Sequence, residues 1–153
     1  MRTSAASARA VVDYGLARRA ALRDLHGGRL SPLDACDAHP YLLRAARYHG
    51  EATERTCPVC RREPLVEVTY TYGDCFKDET NGRVRRPAEL PELAREYTEF
   101  TVYVVEVCQG CAWNHLTLSY VLGKPTISRP RTRRNTPNRA TSGTARRRRA
   151  AEE

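Results

Sequence analysis

Four cysteines carry the chemistry that this chain is best equipped to do. Cys57 and Cys60 stand in "CPVC", Cys108 and Cys111 in "CQGC", and 47 residues separate the two pairs. Four thiols can hold a metal, run dithiol redox chemistry or form disulfides. Two Cys-x-x-Cys units on tight turns, brought together, set four sulfurs at the corners of a tetrahedron about 2.3 Å from a central ion. Zinc is favoured over iron, because structural sites of four cysteines are mostly zinc sites. Pro58 restrains the first turn, and Gly110 lets backbone amides point at sulfur in the second. The glycine often found after the second cysteine of such a turn is missing; Arg61 and Ala112 stand there instead. A dithiol redox protein is the weaker alternative, since its Cys-x-x-Cys would open a helix, whereas both pairs here abut strand-like runs. Disulfides are disfavoured in a reducing compartment. His115, four residues after Cys111, could donate to a thiolate or replace one, but with four cysteines at hand it reads as a packing residue at a strand start. Cys36 and Cys75 lack partners at this spacing and read as buried bystanders. One structural zinc ion closed by four thiolates leaves no open coordination position. Such a site performs no catalysis.

The elements around the cysteines must bring the two turns together. Residues 65–72 alternate, with Val66, Val68, Tyr70 and Tyr72 on one face. Residues 99–107 are apolar on both faces apart from Glu99, Thr101 and Glu106, as a central strand would be. Residues 115–122 alternate again. These runs predict a three-stranded antiparallel zinc ribbon with 99–107 in the middle and a helix at 91–97 in the excursion between the first two strands. Upstream, the four-residue recurrence of Val12, Leu16 and Ala20, with Tyr14, Ala17, Ala21 and Leu25 beside them, predicts a helix over 8–26, with Arg18, Arg19 and Arg23 on its polar side. Gly27 and Gly28 end it. Ser31 as N-cap and Pro32 at the first helical position predict a short helix over 32–38, and "YLLRAARYH" predicts a third over 41–49. The expected fold is α+β: N-terminal helices packed on a three-stranded zinc ribbon, followed by a basic tail. The expected division is a disordered lead at 1–9, a helical segment at 10–50, a ribbon domain at 51–123 and a disordered Arg-rich tail at 124–153.

The run "CDAHPYLLRAARYHGEATERTCPVCRREPL" together with "YVVEVCQGCAWNHL" resembles a family of small actinobacterial proteins known as a domain of unknown function. The resemblance spans roughly Val11 to Gly123. It implies a compact cytoplasmic protein with a bound metal, and it brings no catalytic residues with it.

Charge separates the tail from the rest. Residues 1–123 hold 16 Arg and Lys against 16 Asp and Glu, whereas residues 124–153 hold ten against two, so the tail carries the whole net charge of +8. Attraction to phosphates is therefore expected from Arg131, Arg133, Arg134, Arg139, Arg146, Arg147, Arg148 and Arg149. Tyr70, Tyr72, Tyr103 and Trp113 are candidates for base stacking, with core or sheet-face packing as the plainer role. Asp34, Asp37, His39 and His49 form no convincing acid–base set, because acidic groups in a helix's first turn already complement its dipole. No nucleophile motif and no phosphate-binding glycine loop accompanies them. The N-terminus has no apolar segment of the secretory kind and no run long enough to span a membrane, which points to the cytoplasm. The expectation is a non-catalytic binding protein, not an enzyme, with no membrane and no small-molecule substrate. Its partner would be a nucleic-acid or ribonucleoprotein machine. The alternative is an adaptor, on RNA polymerase or an envelope assembly, that meets a protein through its N-terminal helices.

Overall fold

The structure is a computed structural model, and it describes residues 8–127. Its elements run β1 (Arg9–Asp13), α1 (Gly15–His26), α2 (Pro32–Ala35), α3 (Pro40–His49), β2 (Glu51–Thr56), β3 (Pro64–Tyr72), β4 (Arg83–Arg85), α4 (Leu90–Glu96), β5 (Phe100–Val107) and β6 (Asn114–Leu122), with a 3₁₀ turn at Pro87–Glu89 leading into α4. The strands form one six-stranded antiparallel sheet in the order β1-β6-β5-β3-β2, and β4 adds to β3 beyond the end of β2.

The ribbon expectation is corrected here. Its three strands exist, with β5 in the middle, but they are the centre of a sheet with twice as many strands. Three further strands come from stretches read otherwise. Residues 9–13 lie in the span predicted as helix, yet they pair with β6 through Val12–Ser119 and Asp13–Leu118, and α1 starts only at Gly15. Residues 51–56 pair with β3, and residues 83–85 pair with its far half. All three are short edge or partial strands without a buried residue, β1 and β2 mostly exposed and β4 partly so, and none needs the apolar alternation that marks a half-buried strand. The face predicted for the first helix changes only in part: Ala21 and Leu25 pack inward as expected, joined by Leu22, whereas Leu16 is 76% exposed and Arg18 reaches a buried carboxylate.

Helix placement follows local chemistry. Ser31 caps α2 by accepting from the Leu33 amide, and His39 caps α3 by accepting from the Tyr41 amide through Nδ1. At Gly50 the chain passes from α3 into β2 so tightly that a Cβ would sit 2.1 Å from Val66 Cγ1. That close approach seats α3 on one sheet face, over Val66, Val68 and Val107. The opposite face carries two clusters. Leu65, Cys57, Cys108 and Trp113 pack under α1 and α2 at one end of the sheet. Phe76, Leu90, Leu93, Phe100, Val102 and Leu122 pack under α4 at the other.

The beginning of the tail is ordered against the sheet: the Lys124 amide donates to the Tyr97 carbonyl and the Thr126 hydroxyl to Glu99. The rest of the expected tail and all eight of its arginines named above lie outside the described residues, as does most of the expected lead.

Candidate metal centre

Each cysteine pair is the loop of a β-hairpin. The first hairpin joins β2 to β3 and closes where the Cys57 amide donates to the Glu63 carbonyl; the second joins β5 to β6 and closes where the Cys108 amide donates to the Trp113 carbonyl. β3 and β5 are antiparallel neighbours, with Val66 opposite Val107. The start of one strand and the end of the other therefore meet at the same end of the sheet, and the two loops stand side by side.

Inside each loop the backbone repeats. The Arg61 amide bonds the Cys57 carbonyl, and the Ala112 amide bonds the Cys108 carbonyl, each at 3.0 Å. Arg61 and Ala112 both take left-handed backbone, at φ 57° and 67°. These are the positions where glycine is usual, and the turn forms without it. The Val59 amide points at Cys57 Sγ and the Cys111 amide at Cys108 Sγ, both at 3.4 Å. A Cβ on Gly110 would meet Glu63 Cγ at 2.7 Å, so the second loop lies flush against the first.

The four sulfurs of Cys57, Cys60, Cys108 and Cys111 all lie within 4.8 Å of one another. The Cys57–Cys111 and Cys60–Cys108 separations are 3.7 Å. A tetrahedron with 2.3 Å metal–sulfur bonds has edges of about 3.8 Å, so the sulfurs match a Cys₄ metal cage. Cys57 and Cys108 are buried, and Cys60 and Cys111 are partly exposed. Without an ion the thiols are unequal. Burial pushes Cys108 up to about 12 and Cys111 up to about 11, whereas backbone amides at Arg62 and Glu63 hold Cys60 down to about 6. A metal ion would hold all four as thiolates. Neither pair opens a helix, as a dithiol redox motif would.

Two further groups join this end of the sheet. Cys36, at the C-terminal end of α2, is no distant bystander: its sulfur lies 3.9 Å from that of Cys111. Cys75 does lie elsewhere, packed beside the α4 cluster with its sulfur near the Glu99 carbonyl. Glu106 was legible only as an exception in an apolar strand, yet it is fully buried. It accepts from Trp113 Nε1 at 3.0 Å, from Arg55 Nη1 at 3.1 Å and from Arg18 Nε. Arg55 also bridges to Glu67, directly opposite Glu106 on β3, and so separates two like charges. An inward-facing Glu in a central strand, with arginines free to reach it, is the signal that could have revealed this hub. His115 stacks on Trp113 with ring centroids 5.9 Å apart, in the packing role read for it.

On the α3 face, beyond the end of that helix, the sheet is uncovered. Tyr70 and Tyr103 are cross-strand partners there, and Tyr72 meets Tyr103 edge-on at 5.6 Å between ring centroids. With Leu42, Val105 and Leu116 they line an open hollow of ≈ 600 Å³. Trp113, grouped with these tyrosines from sequence, is buried on the other side.

The sequence matches, over residues 5–136, the model of a family of unknown function, DUF5318. The chain belongs to this family. Relatives include the uncharacterised protein Rv0049 of Mycobacterium tuberculosis and the uncharacterised protein Mb0050 of Mycobacterium bovis. Each is 45% identical over 119 residues, which is 78% of this chain and 86% of the relative. The resemblance read from the helical lead and the two cysteine turns therefore holds. No solved structure matches the chain. No helix among the described residues is long and apolar enough to cross a membrane.

Proposed function

We propose that this is a non-catalytic, cytoplasmic protein that uses one structural zinc ion to lock two hairpins and binds single-stranded nucleic acid, free or within a ribonucleoprotein. The observation that carries the nucleic-acid reading is the tyrosine shelf: Tyr70, Tyr72 and Tyr103 on one open sheet face, with Tyr72 47% exposed. Aromatic rings on an uncovered sheet are suited to stacking unpaired bases, and stacking of this kind is sequence-tolerant. The phosphates would be met by the tail, where the chain's net charge resides. Zinc is supported by the all-sulfur donor set, and a purely structural role by the completeness of the four-thiolate cage.

The test is binding of fluorescent single-stranded RNA and DNA across a salt series. It compares the full chain, a chain ending at Gly123 and the double variant Tyr72→Ala/Tyr103→Ala. Truncation is expected to flatten the salt dependence. Each tyrosine that stacks a base is expected to contribute about 1–3 kcal/mol. Undiminished affinity in the tyrosine variant would remove the shelf from any nucleic-acid role. Native mass spectrometry with elemental analysis is expected to find one zinc per chain.

A second reading rests on a different surface. Leu16, Leu33, Tyr41 and Tyr48 are between 64% and 85% exposed on the three N-terminal helices, which suits a protein partner. A protein retained on the chain ending at Gly123, and lost on Leu16→Ser/Leu33→Ser, would favour the adaptor reading.

A further inference from the structure

We infer that Cys36 and Cys111 form a peroxide-sensitive disulfide site whose closure opens the metal cage; the inference takes the four-cysteine cage as a zinc site. Four sulfurs complete a tetrahedron, so Cys36 is surplus to it. Even so, its 3.9 Å approach to Cys111 is nearly as short as the 3.7 Å edges of the cage itself. The approach is built. The Ala38 amide donates to the Ala112 carbonyl at 3.0 Å, and Asn114 Nδ2 donates to Asp37 Oδ1 at 3.0 Å. Two hydrogen bonds thus strap residues 36–38 to the turn that carries Cys111. Solvent reaches both members of the pair: Cys36 and Cys111 are partly open, as is Cys60, whereas Cys57 and Cys108 are 1% and 0% exposed.

The reaction uses hydrogen peroxide as oxidant. The Cys111 thiolate attacks one peroxide oxygen, the O–O bond breaks, and Cys111 becomes a sulfenic acid as hydroxide departs. The Cys36 thiol then attacks the sulfenic sulfur. An S–S bond forms, the S–O bond breaks, and the Cys36 proton leaves with the hydroxide as water. Two electrons have passed from the two sulfurs to the peroxide, which ends as water and hydroxide. The ion retains only three sulfurs and loses the closure that made the site inert. A cysteine outside the cage therefore lets the site respond to oxidant without first pairing two of its own remaining ligands.

The experiment treats zinc-loaded full chain with hydrogen peroxide. Zinc release is followed with a chromogenic chelator, and disulfides are located by alkylation and tandem mass spectrometry. A Cys36–Cys111 link is expected to appear in step with zinc release and to reverse with dithiothreitol. Cys36→Ser is expected to keep one zinc, lose the link and hold its zinc longer under peroxide. Links confined to Cys57–Cys60 and Cys108–Cys111, with zinc lost equally fast from Cys36→Ser, would overturn the inference. The same map on ion-free wild-type chain separates the two readings. A Cys36–Cys111 link in a protein that takes up no zinc would support the sulfur pairing while refuting the metal site; absence of the link there and in the zinc-loaded chain would refute the pairing.

Discussion

Ala112 sits at φ 67° because its turn must swing the backbone round while its amide reaches back to the Cys108 carbonyl. A side chain in that conformation is strained, and glycine is not. Ala112→Gly is therefore expected to raise the stability of the metal-loaded protein by about 1 kcal/mol, and Ala112→Val to lower it by at least as much. Urea denaturation at fixed zinc concentration measures both. A loss of stability in the glycine variant would show that the methyl group contributes more than its strain costs. At this scale the sequence was legible in kind. The ligand set follows from two Cys-x-x-Cys spacings, and the absent glycines did not prevent the turn, because hydrogen bonds closing each hairpin over-determine it. The approach of Cys36 was illegible, since no local spacing connects residue 36 to residue 111; only the strap from Ala38 and Asp37 to the second hairpin brings them together.

The element that organises this end of the molecule is β5, whose last side chain before the cage on the face covered by α1 and α2 is Glu106. One carboxylate joins the central strand to Trp113 after the second turn, to α1 through Arg18 and to β2 through Arg55. Glu106→Ala would leave the buried indole N–H without an acceptor and two arginines without their shared counter-charge. The arginines are 25% and 48% exposed and regain water, so most of the cost falls on the indole and the space left behind. The expected loss is about 2–3 kcal/mol. Glu106→Gln keeps an acceptor for Trp113 and is expected to lose less. Equal losses in chemical denaturation would mean that the charge, not the acceptor, is what matters. Elements with strong periodicity were readable: β3, β5, β6, α3 and α4 lie within a residue or so of their predicted limits. β1, β2 and β4 were not, because an edge strand is specified by its neighbour's free amides and carbonyls rather than by its own apolar pattern. "RAVVD" meets a helical spacing by coincidence with the helix that follows it; pairing with β6 decides it as strand.

Over the whole molecule the metal cage and the α4 cluster occupy opposite ends of one sheet, so their stabilities are separable. α1 and α2 pack on a cluster that includes Cys57 and Cys108 themselves, whereas the far cluster of Phe76, Leu90, Phe100 and Leu122 contains none of the cage cysteines. Removing the ion should loosen the two hairpin loops, α1 and α2 first, and leave the far halves of β3 and β5 protected. Acid should act in the same direction. Burial holds Cys108 and Cys111 at about 12 and about 11 in the ion-free chain, so both carry protons at neutral pH that an incoming ion must displace. Zinc affinity should therefore rise with pH, by about tenfold per unit for each proton displaced, and hence about 100-fold per unit for these two. Hydrogen exchange with and without a chelator, repeated at pH 6 and pH 8, measures both effects. Faster exchange confined to residues 15–38, 57–63 and 108–113 is the expected pattern, reached with less chelator at the lower pH. Uniform loss of protection across the sheet would instead make the ion a condition for folding the entire chain. Release from the cage by oxidation or acid would then unfold the tyrosine shelf as well, and not merely free the hairpin end beside it.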